Sequence, residues 1–243
     1  MSEDVRSRLY GHYVSSGHAR PPDSLAGLAP RASWLRRVVE RHFPPDRSAR
    51  VFDVGCGYGA LVHFAREAGY GNVRGVYGSQ EQVDAARQLG IEGVSCGDLL
   101  EALRELPEGS QDVVAALDVM EHFAKSEILG LVDAVQRVLR PGGSWILHVP
   151  NGESPFFGAI RYGDLTHELA FTRDSMSQLL LASGYSSVRC FEDEPVPHGA
   201  KSAVRWLLWK VIRAGLRLYV AAETGETGRD AVFTRNLLAV AVK

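Results

Sequence analysis

Three cysteines in 243 residues are too few and too scattered for a disulfide framework. Cys56, Cys96 and Cys190 are odd in number and form no C-x-x-C pair, which argues against a cysteine zinc site and for a reducing cytosol. Excess basic charge is also missing. The 27 Lys and Arg against 29 Asp and Glu leave a formal net charge of −2, so a nucleic-acid binder relying on a basic surface is not expected. No window of about 18 residues is both apolar and charge-free, so no membrane-spanning segment is expected. Met1 to Arg6 hold no apolar signal core, and a cytoplasmic location is the expectation. Repeats and low-complexity runs are absent too. What remains is a chain of ordinary apolar content, long enough for one domain or one with a small appendage.

The stretch Arg50-Val51-Phe52-Asp53-Val54-Gly55-Cys56-Gly57-Tyr58-Gly59-Ala60-Leu61 organises the rest. Val51, Phe52 and Val54 read as a short buried strand, and Leu61, Phe64, Ala65 and Ala68 keep the spacing of a helix. Three glycines at alternate positions between them permit a sharp turn and a close approach of ligand to backbone. The helix that follows aims its unpaired N–H groups at the loop. Strand, glycine loop and helix together make a nucleotide-binding turn; a glycine turn without ligand is the plainer reading. Gly55, Gly57 and Ala60 fit the dinucleotide pattern G-x-G-x-x-G/A. Asp53, Gly55, Gly57 and Gly59 fit D-x-G-x-G-x-G, and an acidic residue two before the first glycine suits a cationic ligand better than a pyrophosphate. In this the chain resembles the class I S-adenosylmethionine (SAM)-dependent methyltransferases, and the later motifs favour that reading over the nicotinamide one.

Residues 1–49 read as a helical preface. Tyr10 and Tyr13 share a helical face, a link runs from Gly17 to Pro30, and Trp34, Leu35, Val38, Val39 and Phe43 mark a helix stopped by Pro44-Pro45. The resemblance implies a cover over the cofactor, on which a tyrosine could stack; packing on the sheet is the simpler role. From 50 to 143 strands (50–54, 73–77, 92–95, 112–117, 144–149) alternate with helices (59–68, 80–89, 98–105, 125–139), with stops at Gly90 and Pro141-Gly142-Gly143. An insert at 151–170, a helix at 173–183, a strand at 186–191, a long helix at about 201–222 and a last strand over 231–242 complete the chain. The expected fold is α/β: a Rossmann-like, doubly wound, seven-stranded, mostly parallel sheet. The resemblance implies an antiparallel last strand between its neighbours.

Ligands of open α/β sheets bind beyond the carboxyl ends of the strands, so those ends carry the candidate site. The resemblance assigns Asp53, Gly55, Gly57 and Gly59 to the methionine part of SAM and Tyr77 to the ribose, with Cys56, Gly78, Ser79 and Gln82 also binding the cofactor. It assigns Asp98 and Leu99 to adenine, although Asp98 is also a good N-cap for the next helix. At Tyr77 the family places Asp or Glu, which binds both ribose hydroxyls. Losing that bidentate charged acceptor should cost about 1.5–3 kcal/mol. Three readings stand: weakened but intact SAM binding, an altered or engineered cofactor site, or a SAM-like site no longer used for methyl transfer. The first is favoured because Gly75-Val76, Ser79 and Glu81-Gln82 keep the surrounding pattern.

After the fourth strand, Asp118, Glu121 and His122 would lie at i, i+3 and i+4 on one helical face, a plausible divalent-cation half-site. With Thr166-His167 in the insert they resemble ubiquinone-biosynthesis O-methyltransferases, and more distantly the methyltransferases of small-RNA 3′ ends, which use a Glu-x-x-Glu-His plus later histidine metal site. An unactivated hydroxyl is a poor nucleophile and needs a base or a metal. The candidates are His167, His122 and Asp118 for catalysis (Asp118 also lining the cofactor) and Glu121, His122 and His167 for Mg²⁺, Mn²⁺ or Zn²⁺. Plain pocket or loop histidines are the rival reading.

Lys201 to Tyr219 form a basic amphipathic helix, with Val204, Leu207, Leu208, Val211, Ile212, Leu218 and Tyr219 on one side and Lys210, Arg213 and Arg217 opposite. Packing on the domain is the plainest role; a lid, or contact with an anionic membrane, are the others. The insert, the run Pro197 to Ser202, Ala222 to Gly225 and Thr234 to Leu237 resemble methyltransferases of carbohydrate and surface-polysaccharide pathways. The expected function is SAM-dependent O-methylation of a sugar or other small-molecule or glycan hydroxyl. A SAM-binding protein that transfers no methyl, motivated by Tyr77, is the alternative.

Overall fold

The computed structural model of the chain describes residue 9 and residues 22–226, 228 and 230–243. Tyr10 and Tyr13 lie outside the described residues. Pro30 does not belong to a linker. It occupies the first turn of helix α1 (Ala29–His42), where its missing N–H has no helical partner to lose. This helix buries Ala32, Leu35, Val38 and Val39.

Strand β1 (Val51–Val54) is buried at all four positions, as an apolar run covered on both faces should be. Helix α2 (Ala60–Glu67) leads to β2 (Val73–Tyr77), α3 (Gln80–Gln88) to β3 (Val94–Cys96), and α4 (Leu99–Glu105) to β4 (Gln111–Leu117). Helix α5 (Ile128–Val138) precedes β5 (Leu139–Pro150). The predicted stop at Pro141-Gly142-Gly143 is instead an irregular start to β5: Gln111 pairs with Leu139 but Val113 with Ser144, so extra residues loop out on one side. Helix α6 (Phe157–Arg161) lies in the insert, followed by α7 (Arg173–Ala182), β6 (Ser187–Glu192), α8 (Ala200–Thr224) and β7 (Asn236–Val242). The last strand is shorter than the predicted 231–242, because Val232 and Thr234 give their carbonyls to the buried Asn151 amide instead of a ladder.

The sheet order is β3-β2-β1-β4-β5-β7-β6. Strands β1 to β5 run parallel, and β7 is antiparallel to both β5 and β6. One face carries a core around Trp145, Leu131, Val132, Met176 and Leu180; the other is built on Leu35, Leu61, Phe64 and Val83. Truncating a fully buried leucine such as Leu131 to Ala would cost about 2–5 kcal/mol. Strand order reverses between β1 and β4, and the crevice beyond their carboxyl ends is where such a sheet takes a ligand.

Candidate active site

That crevice holds a cleft of about 1100 Å³. Its wall includes Asp53, Gly55, Cys56 and Gly57 after β1, then Tyr77, Gly78, Ser79 and Gln82 after β2. Asp98 and Leu99 follow β3, Asp118, Glu121 and His122 follow β4, and Ile160, Asp164 and His167 come from the insert. Gly59 is the exception among the expected residues. It is not on the wall: a Cβ there would come 2.9 Å from Ile91 and Val94, so its φ of +79° and missing side chain serve the start of α2. At Gly55, with φ +77°, a Cβ would come 2.3 Å from Val119, which holds the loop close to the next strand end.

A buried acid lies at the foot of the glycine loop. Asp53 is 2% exposed. Burial pushes its carboxyl up to about 8, against the pull of Arg31. Gln82 donates to the Tyr77 hydroxyl at 3.3 Å, and burial raises the phenol. A Cβ added to Gly78 would meet nothing within 4 Å, so the wall is open there. Asp98 caps α4 by accepting from the Leu100 and Glu101 N–H groups, both at 2.9 Å through one oxygen.

Asp118 departs from the expected helical face. Its φ is +60°, and only the 3₁₀ turn Met120–His122 follows it. The backbone therefore turns the carboxylate to His148 on β5, 2.5 Å away, and to Arg31 of α1 at 3.2 Å. His148 and Arg31 were not among the expected site residues; a histidine at a strand's carboxyl end was the one available signal for the first. Glu121 and His122 stay together. Glu121 is buried, one of its oxygens has no hydrogen-bond partner, and burial, reinforced by Asp118, raises its carboxyl well above the usual range. Its backbone carbonyl accepts from the N–H groups of Glu168 and Leu169, which fastens the insert beside it.

That fastening brings His167 to His122, ring centroids 4.8 Å apart. Both ring orientations can be read from their partners. His167 Nδ1 faces the Ile160 carbonyl at 3.0 Å, so Nδ1 carries a proton and donates it there, leaving Nε2 on the other side of the ring. His122 Nδ1 lies 2.9 Å from Thr166 Oγ1, whose own hydrogen goes to Asp164 at 2.6 Å. Thr166 must accept from Nδ1, and His122 holds its lone pair on Nε2. Burial, then His167, draws the His122 pKa down to about 4, so it is neutral near pH 7. One ligand atom each from Glu121, His122 and His167 lies within 4.8 Å of the others. An unpaired buried carboxyl oxygen and two imidazoles held through their Nδ1 atoms are a fitting donor set for a divalent ion.

A methyltransferase-domain family model matches residues 52–147. The chain is 32% identical over 150 residues to the cyclopropane-fatty-acyl-phospholipid synthase of Escherichia coli K12, covering 61% of this chain and 38% of that one. It is 31% identical over 136 residues to a ubiquinone biosynthesis O-methyltransferase of Maricaulis maris, covering 52% of each. The matched residues carry a class I SAM-dependent methyltransferase domain, whose cofactor is SAM. The chain spans between 38% and 52% of the length of these curated relatives. Its fold is that of a SAM-dependent methyltransferase from Archaeoglobus fulgidus (TM-score 0.65, 20% identity, 87% of this chain and 94% of that one). The same holds for a Haemonchus contortus phosphoethanolamine N-methyltransferase 2 solved with SAM (TM-score 0.60, 17% identity, 96% and 60%).

The residues present fit the cofactor: a buried acid for its cationic end, and a glycine-walled cleft with open space at Gly78. Among the described residues no helix is long and apolar enough to cross a membrane.

Proposed function

We propose that the chain transfers a methyl group from SAM to a hydroxyl oxygen, on a sugar or another small-molecule or glycan acceptor. When bound, SAM supplies an electrophilic methyl on a sulfonium. The observation that carries the reading is the pair His122 and His167, both on the cleft wall and both held through Nδ1. His167 Nε2 takes the hydroxyl proton as the oxygen becomes a nucleophile, and its Nδ1–H stays on the Ile160 carbonyl to fix the ring. His122, uncharged, borders the acceptor and keeps the site free of competing positive charge. Asp53 holds the cationic end of the cofactor, Gly55, Cys56 and Gly57 its methionine part, and Tyr77, Gly78, Ser79 and Gln82 the ribose. Asp98 and Leu99 border adenine. Asp118 positions the region through His148 and Arg31. Holding acceptor and methyl donor in line supplies much of the remaining rate.

Helix α1, within the expected cover 1–49, serves as a cover, supported by Arg31 and Leu35 on the cleft wall, and 50–243 as the methyltransferase domain. The insert 151–170 takes the acceptor side, where Phe156, Tyr162 and Leu165 stand exposed and offer apolar and aromatic surface to a sugar face. The O-methyltransferase relatives favour oxygen as the acceptor atom.

Methyl-labelled SAM offered with a panel of hydroxylated sugars and glycans tests the reading. Label should appear on oxygen, and His167→Ala should lower turnover by about 10²–10⁴ with SAM affinity unchanged. Tight SAM binding with no transfer to any acceptor would favour a SAM-binding module instead. A second reading rests on the orphaned Glu121 oxygen: Glu121, His122 and His167 would hold a divalent ion that acidifies the hydroxyl.

A further inference from the structure

Helix α8 meets the domain with its polar side. Val204, Leu207, Leu208, Val211, Ile212, Leu218 and Tyr219 are each more than half exposed, Val211 and Leu218 by 71% and 72%. At 100° per residue they fall within an arc of about 140°. The opposite side carries Ser202, the helix's one buried residue, with Trp209 and Arg213 half-buried beside it. Two ion pairs make the seat: Lys210 to Glu194 at 2.5 Å, and Arg213 to Glu192. A helix that docks through salt bridges and leaves its aliphatic stripe in water is not using that stripe to hold its own fold.

We propose that this stripe lies on an anionic lipid bilayer, with α8 parallel to the surface. Charge carries the choice of occupant. From Ala200 to Ala222 the helix has five cations and no carboxylate. Lys210 and Arg213 are taken up by the domain, whereas Lys201 and Arg205 stand exposed at the border of the apolar arc, where an interfacial helix places cations against headgroups. Two copies pairing through the same stripe would bring these cations together, and the one acid of the helix, Glu223, lies at its far end. A helix of 25 residues is about 37 Å long, room for the whole stripe to contact lipid in one plane. Lipid contact of this kind is independent of what the cleft does.

Flotation of the full chain tests it, with phosphatidylcholine vesicles alone and with phosphatidylglycerol making up about a quarter of the lipid. The chain should float with the anionic vesicles. Lys201→Gln with Arg205→Gln should weaken partitioning about 30-fold, from about 1 kcal/mol per cation near an anionic surface. Leu208→Glu with Val211→Glu should abolish it with circular dichroism and thermal melting unchanged, since both side chains are exposed in the fold. Flotation with neither vesicle overturns the proposal. So does a lipid-free dimer that the double glutamate variant renders monomeric, which would assign the stripe to a second copy.

Discussion

His148 Nδ1 lies 2.5 Å from Asp118 Oδ1, and its Nε2 lies 3.4 Å from Asp193 Oδ2. Burial by itself would discharge this imidazole, but Asp118 and then Asp193 outweigh it and hold His148 up at about 10. Burial also pushes Asp118 upward, and His148 with Arg31 brings it below the ordinary carboxylate range. Arg31 of α1, Asp118 after β4 and His148 on β5 thus form one charged chain beside the cleft.

The pair ties stability to pH. His148 has its pKa raised from 6.5, so its contribution is complete below about pH 6.5 and fades as the pH climbs through about 10. Asp118 is depressed from 3.8, so its share is present above that value and is lost on acidification below it. Melting temperature should therefore fall between pH 7 and pH 10. In His148→Gln that part of the slope should vanish, with a loss at pH 7 of about 1–3 kcal/mol, because Asp118 keeps some contact with solvent.

Binding of SAM should expel a proton. Burial holds the Asp53 carboxyl up at about 8, and a cation beside it favours the ionised form. Affinity should tighten from pH 6 to pH 8, by at most about tenfold per unit. Calorimetry in buffers of different ionisation enthalpy should show proton release near pH 7, which Asp53→Asn should lack. Since folding raises this carboxyl's pKa, stability falls between pH 3.8 and 8, and Asp53→Asn should melt higher than the parent at pH 7.

Tyr77→Asp should tighten SAM binding by about tenfold, the gain of a charged acceptor where the phenol makes one bond. The phenol now takes the Gln82 amide at 3.3 Å, a partner an aspartate could keep. Equal affinity in the two proteins would remove Tyr77 from the ribose.

Zinc titrated into the chelator-treated chain should bind one ion per chain, and Glu121→Gln should weaken binding at least about tenfold. Thorough chelation should then lower turnover, with restoration by added metal. Turnover indifferent to chelation would leave His122 and His167 as acid–base or pocket residues.

The central strand, its glycine loop and the alternation up to β5 were legible because each rests on local signals: apolar runs, glycines that must take positive φ, and helix stops. The antiparallel placement of β7 came through the family resemblance. Two features were not local. Spacing alone put Asp118 on a helical face with Glu121 and His122, but the left-handed turn at Asp118 sends its carboxylate to His148, 30 positions on, and no pattern in the sequence links the two. For α8 the periodicity was correct and the orientation reversed. Amphipathicity identifies two faces; the partners Glu192 and Glu194, on a different element, decide which one meets the domain.

Three consecutive residues at the end of β6 point alternately: Glu192 and Glu194 grip α8, and Asp193 between them reaches His148. Arg37 of α1 also donates to the Glu194 carbonyl at 2.7 Å. The anchors of α8 thus sit one peptide unit on either side of Asp193, whose carboxylate lies 3.4 Å from the imidazole that braces Asp118. The outer helix and the floor of the cleft share a single mechanical joint.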